Sequence, residues 1–112
     1  MNNQVATKAM PGEVKVLSEL LQYQDASIVS RVLLKNKGGT VTLFAFDVGE
    51  GLSEHTAPFE ALVVVIDGEA DIEIAGDNFR VKQGETITLP ANRTHAVKAA
   101  TRFQMLLIMI RA

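Results

Sequence analysis

The sequence predicts a single all-β domain, a sandwich or barrel, on three observations. From Ala26 onward, short runs rich in Val, Ile, Leu, Phe and Thr are separated by turn residues, which is the pattern of strands and not of helices. The turns recur at the roughly 8–12-residue spacing typical of sandwiches and barrels. A length of 112 residues fills one domain and leaves no room for a second.

Read from the start, Met1 to Gly12 shows no periodic pattern and ends in the turn signal Pro11-Gly12, so it reads as an arm. In Glu13 to Leu21 the apolar residues Val14, Leu17, Leu20 and Leu21 fit helical spacing for at most two turns. The predicted boundaries are therefore 1–25 for an N-terminal arm or helical turn and 26–112 for the β domain. Within that domain the strand breaks fall at Lys35 to Gly39, Gly49 to Gly51, Asp67-Gly68, Ala75 to Asn78, Gln83 to Glu85 and Pro90 to Asn92. Between two of them, Ala70, Ile72 and Ile74 alternate with Asp71 and Glu73, one face for the core and one for water.

Two runs break the alternation. Leu62 to Ile66 and Met105 to Ile110 are apolar on both faces, whereas an antiparallel strand ordinarily turns one face to solvent. They need cover from a second sheet, from the N-terminal segment or from another subunit. A domain this small has little spare chain for the purpose, so the expectation is a homodimer.

Composition removes several function classes. Without cysteine there is no disulfide scaffold, iron–sulfur cluster, thiolate zinc site or cysteine nucleophile. Eleven basic side chains against 13 acidic ones give a formal charge of −2, which provides no general attraction to nucleic acid or anionic membranes. The basic residues are scattered among acids, and no two-helix DNA-reading pattern is present. No apolar run approaches the ~20 residues of a membrane span, and residues 1–12 lack a secretion signal. The expected location is the cytoplasm.

The chain has two histidines, His55 and His95, each in a segment punctuated by Gly or Pro, where a rigid scaffold tends to present functional groups. Around the first, the sequence reads Gly49-EGLSE-His55-T-Ala57-PFE-Ala61-LVVVID-Gly68; around the second, Gly84-ETITL-Pro90-A-Asn92-RT-His95-AVK-Ala99. These spacings resemble both motifs of a small single-domain cupin, G-x5-H-x-H-x3-E-x6-G and G-x5-P-x-G-x2-H-x3-N, in order and in register. The resemblance implies an RmlC-like jelly-roll barrel (a double-stranded β-helix) reaching from about Ile28 to Ile110. In cupins that hold a metal, two histidines and a glutamate of the first motif and one histidine of the second coordinate it. Carried over, that leaves His55 and His95, because Ala57 stands at the second histidine position and Ala61 at the glutamate position. Asn92 and Ala99 depart from the second motif at its glycine and its asparagine.

Two protein ligands fall short of the three or more usual for a divalent ion. Glu54 or Glu60 could supply a third, completing a two-histidine, one-carboxylate set for Fe, Mn, Ni or Zn at partial occupancy. Strand parity turns Glu60 away from the face of Ala61 unless a bulge re-aims it. The same alanines also empty the barrel centre. The lining then becomes His55, Ala57, Ala61, Val63 and His95, with Val65 by parity: a mostly apolar pocket with two polar anchors, the usual form of a small-molecule site. Against this stands a core filled by Phe44, Phe46, Phe59 or Phe103. Three functions remain open: a binding barrel with a degenerate metal site; a metal-dependent enzyme, oxygenase- or isomerase-like, with His55 and His95 as the catalytic candidates; and a metal-free isomerase or epimerase using the same histidines as acid and base. Tyr23, upstream of the strands, is expected to pack or lie on the surface. Met105 and Met109 read as core or interface filling.

Overall fold

The structure, a computed structural model, describes residues 2–6 and 12–111. Its strands are β1 (Asn2–Ala6), β2 (Ile28–Asn36), β3 (Gly39–Phe46), β4 (Gly51–His55), β5 (Glu60–Asp67), β6 (Glu69–Ile74), β7 (Asp77–Lys82), β8 (Thr86–Leu89), β9 (His95–Ala99) and β10 (Phe103–Ile110). They form a larger sheet in the order β1-β2-β3-β10-β5-β8 and a smaller one in the order β4-β9-β6-β7. All pairings are antiparallel except β1 with β2. This is the predicted jelly-roll β-barrel. No helix among the described residues is long and apolar enough to cross a membrane.

The turns fall where Gly, Pro, Asn and Asp punctuate the sequence. Gly68, between β5 and β6, shows why its position is demanding. Its φ is +72°, and a Cβ there would lie 2.0 Å from the Arg102 carbonyl oxygen, so glycine is required on both counts. Inside the barrel, Phe46 and Phe103 stack with centroids 4.5 Å apart, over Val63, Val65 and Ile72, all fully buried. Ala70 and Ile72 face this core as their alternation predicts, with Ile74 packed at its margin.

The N-terminal part departs from expectation in two ways. First, Asn2–Ala6 forms a strand, parallel to β2 in the register Asn2–Ile28 to Ala6–Val32. An edge strand can be recruited through backbone hydrogen bonds alone, so it need not show an apolar pattern. Second, of the helical turns expected over Glu13 to Leu21 only a 3-10 turn forms, Leu17–Glu19. Leu17, Leu20 and Leu21 are half-buried, but Val14 is 99% exposed, so the first turn of the stripe has no surface to pack on. Val16 is extended and provides no side-chain cap, and β-branched residues favour that conformation.

The remainder of this segment is tied to the outer face of the larger sheet. Gln104 Nε2 donates to the Ser18 and Leu21 carbonyls at 3.1 and 3.4 Å, and Arg31 donates to the Leu20 carbonyl. Tyr23 donates its hydroxyl to Asp67 and lies under the Arg102 guanidinium. Burial and the neighbouring carboxylate raise the Tyr23 pKa. Arg102 also pairs with Asp25 and Asp47 at 2.6 and 2.8 Å, clasping the segment to the barrel. Thus one of the two-faced strands, β10, is covered in part by the chain's own N-terminal segment. Farther along the outer face, Leu62, Val64, Leu106 and Ile108 stay half-buried, while Leu34 and Ile110 are 61% and 63% exposed.

Candidate functional site

One end of the barrel, opposite the Phe46–Phe103 stack, holds a cavity of about 520 Å³. Strand β4 brings Leu52, Ser53 and His55 to it, and the segment after β4 brings Ala57 and Phe59. The other walls are Phe44 from β3, Ala61 from β5 and Leu89 from β8, with His95 from β9 and Leu107 and Met109 from β10. Among the described residues, the polar side chains lining it are Ser53, His55 and His95. The Arg111 guanidinium sits 5.3 Å above the Phe59 ring, a cation–π contact that steadies the rim.

How His55 comes to face inward is a matter of register. Leu52 pairs with Val97, but His55 pairs with His95, so three residues advance along β4 while two advance along β9. Leu52 packs on the core; plain alternation would then turn His55, an odd number of residues later, to the opposite face. The bulge at Ser53–Glu54 restores it. Asn92 has a comparable local role. It adopts φ +63°, a left-handed conformation that asparagine tolerates better than most residues. Its N–H donates to the Ala57 carbonyl at 2.8 Å, linking the segment before β9 to the segment after β4. The motif glycine at this position is thus replaced without loss of the turn.

The two imidazoles meet directly, Nε2 to Nε2 at 3.0 Å, with ring centroids 4.2 Å apart and planes inclined at 69°. His55 Nδ1 lies 2.8 Å from the Ser53 carbonyl. A carbonyl accepts only, so this nitrogen carries the hydrogen and Nε2 the lone pair. His95 Nε2–H then donates to His55 Nε2. His95 is 8% exposed, and its Nδ1 is buried without a hydrogen-bond partner. Burial lowers the His95 pKa, the adjacent His55 lowers it further, and the nearby Arg93 backbone opposes both. The net direction is downward, which favours the neutral imidazole.

Of the residues expected at the site, His55, Ala57, Ala61 and His95 come together. Val63 does not line the cavity; it shares the inward face of β5 but sits deeper, fully buried in the core, as does Val65. Glu54 and Glu60 are exposed and stay outside it, Glu60 beside a separate surface depression with Phe59 and Pro90. The bulge aims His55 inward in place of Glu54, and β5 keeps plain alternation at Glu60. Phe44 and Phe59 form walls and do not plug the space, while Phe46 and Phe103 fill the other end. Leu52, Leu89, Leu107 and Met109 also line the cavity, though only their apolar character, not their place, was visible in the sequence.

The donor set does not fit a metal held by the protein. Among the described residues no group of three or more His, Cys, Asp or Glu side chains is placed to hold an ion. Ala57 and Ala61 have no donor atoms, and two imidazoles are one ligand short of the usual minimum.

Comparison with known proteins agrees with the topology. The cupin domain family model matches residues 42–111. No curated protein matches the chain. A conserved protein of unknown function from Streptococcus pyogenes is 30% identical, with a TM-score of 0.89 over 95% of this chain and 93% of its own. A cupin 2 conserved barrel domain protein from Leptotrichia buccalis is 42% identical, with a TM-score of 0.81; the alignment covers 84% of this chain and 46% of that one. A cupin superfamily protein from Desulfitobacterium hafniense is 26% identical, with a TM-score of 0.87 over 94% of this chain and 97% of its own. With the family match spanning both histidine segments and the barrel reproduced over almost its whole length, the chain belongs to the cupin family.

Proposed function

We propose that this cupin is a small-molecule-binding barrel whose ligand, and not a resident metal, occupies the space between His55, His95, Ala57 and Ala61. The observation that carries this reading is the cavity of about 520 Å³, apolar on most walls and polar at one place. Its size is within the ~300–1,000 Å³ range of small-molecule sites. The test pairs metal analysis with probe binding. Protein purified without added metal should contain far less than one equivalent of Fe, Mn, Ni or Zn. N-phenyl-1-naphthylamine, an uncharged apolar fluorophore, should bind saturably at one per chain, and Ala61→Phe should abolish that binding. A stoichiometric metal lost in His55→Ala would overturn the reading in favour of a metal-dependent enzyme.

One observation favours acid–base chemistry as a second reading. Two imidazoles in contact, Nε2 to Nε2 at 3.0 Å, stand at one wall of the apolar cavity, and imidazole is the side chain suited to taking up and returning a proton near neutral pH. Turnover that survives chelation but is lost in either histidine variant would support it.

The outer face of the larger sheet supports self-association through a second copy of this chain. Leu34, Leu62, Val64, Leu106, Ile108 and Ile110 form an apolar surface with Glu60 at its Ile110 end, and extended apolar surfaces are uncommon on monomers. Sedimentation at micromolar concentration should give a dimer, and Leu62→Lys with Ile108→Lys a monomer.

A further inference from the structure

Resting on the ligand-binding reading above, we infer that the cavity takes amphiphilic carboxylates, with the apolar tail inside the barrel and the carboxylate at the mouth against Arg111. The interior provides for a tail but not for a head group. Its walls include Phe44, Leu52, Leu89, Leu107 and Met109, and no Asp, Glu, Lys or Arg side chain lines it. The imidazoles are already paired, His55 Nδ1–H with the Ser53 carbonyl and His95 Nε2–H with the His55 Nε2 lone pair. The remaining ring nitrogen, His95 Nδ1, is buried out of reach. A charge drawn inside would lose its water without gaining a partner. An ionised head group therefore stays at the opening, where Ser53 and His55 are exposed.

Register places a cation at that opening. Strand β10 turns Leu107 and Met109 to the cavity. The Arg111 N–H extends the ladder with β3, donating to the Gly38 carbonyl at 2.8 Å, next to the Gly39–Ile110 pair. Alternation then puts Arg111 on the Met109 side, one step beyond the last cavity wall on this strand. The ring contact fixes the same place independently: the guanidinium lies 5.3 Å from the centre of Phe59, itself a cavity wall. Among the described residues, no ion pair or side-chain hydrogen bond uses the Arg111 guanidinium. Glu60, on the neighbouring strand, pairs with Ile110 and so faces the other side of the sheet. A guanidinium stacked on one ring keeps its N–H edge free, and that edge matches a carboxylate with two parallel hydrogen bonds. An ammonium head group would be repelled there, and an alcohol would gain only a neutral hydrogen bond.

The test is displacement of N-phenyl-1-naphthylamine at low ionic strength and about pH 8, where carboxylates and alkylammonium ions are both charged. Three probes share one tail: octanoate, octan-1-ol and octylammonium. Octanoate should bind more tightly than octylammonium by about fivefold or more, and high salt should narrow the gap. In Arg111→Gln the octanoate affinity should fall about fivefold while that of octan-1-ol changes less than about twofold. Lys82→Gln removes the same charge from the last residue of β7, which pairs with Glu69 beside Gly68, away from the mouth, and should leave all three affinities unchanged. Ala61→Phe should weaken all three together. Octylammonium binding as tightly as octanoate, an octanoate affinity unaltered in Arg111→Gln, or an equal loss in Lys82→Gln would overturn the inference. If the naphthylamine binds and octanoate does not displace it, the head-group inference alone fails. If the naphthylamine itself does not bind, the cavity reading fails and takes this inference with it.

Discussion

Replacing Ala61 by leucine separates an open cavity from a filled core by the sign of the stability change. Ala61 is 7% exposed on the inward face of β5, flanked across the sheet by Leu89 of β8 and Met109 of β10, both at the cavity wall. Leucine adds three carbons. At ~0.8 kcal/mol for each buried methylene they contribute roughly 2.4 kcal/mol, and fixing the side chain costs about 0.5–1 kcal/mol. The net expectation is a gain of about 1.5 kcal/mol, or a rise in Tm of roughly 4–8 °C for a domain of this size. In a core already packed to normal density the same substitution would instead cost ~1–3 kcal/mol through off-rotamer crowding. The assay is thermal unfolding followed by circular dichroism, alongside titration with N-phenyl-1-naphthylamine, whose affinity should drop at least tenfold. A lowered Tm would refute the reasoning, because it would mean that the space beside Ala61 is taken.

Three other outcomes follow from local geometry. Ala75 and Gly76 carry φ of +50° and +89° between β6 and β7, a turn that prefers Asn-Gly, so Ala75→Asn should raise stability by ~0.5–1 kcal/mol in denaturant titration. Gly68→Ala would place a Cβ 2.0 Å from the Arg102 carbonyl and 2.9 Å from Phe103 Cα; the expected loss is ~2 kcal/mol or more, read as a lower denaturant midpoint. Hydrogen bonds from the Arg102 side chain and from the Ala26 and Val48 backbone hold the Asp47 pKa at about 2, below its ordinary 3.8. A depressed carboxyl pKa adds stability above pH ~4 that is lost as pH falls through about 2, so Asp47→Asn should flatten the stability profile between pH 4 and 2.

Much of this molecule is legible in its sequence because the constraints are local. The breaks at Asp67-Gly68 and Ala75-Gly76 lie where the backbone turns left-handed, and Ala70, Ile72 and Ile74 announce their buried face by alternation. His55 and His95 could be linked by their spacing from glycine and proline, and they do meet across β4 and β9. What escapes is set by register and by partners distant in sequence. Nothing in Ser53-Glu54 marks it as a bulge, yet that bulge decides which of Glu54 and His55 faces inward. Val63 and Ala61 share a face, and depth along the strand, which parity does not encode, separates cavity lining from core. The strand at Asn2–Ala6 pairs through its backbone, so its side-chain pattern could not disclose it.

The position of β10 has a consequence for how the chain reaches its final shape. This strand lies between β3 and β5, yet it is the last of them along the chain. During synthesis the β2–β3 hairpin and the β5–β8 pair are therefore complete while the gap between them stands open, with Leu43 and Val63, both fully buried at the end, facing an absent neighbour. Closing that gap joins residues 57 to 71 positions apart, from Phe46 with Phe103 to Gly39 with Ile110. Such long-range pairing places folding in the slow, millisecond-to-second regime of β-rich domains. A nascent chain that lacks residues 103–110 would expose two unfinished sheet edges, and those edges are where aggregation would begin.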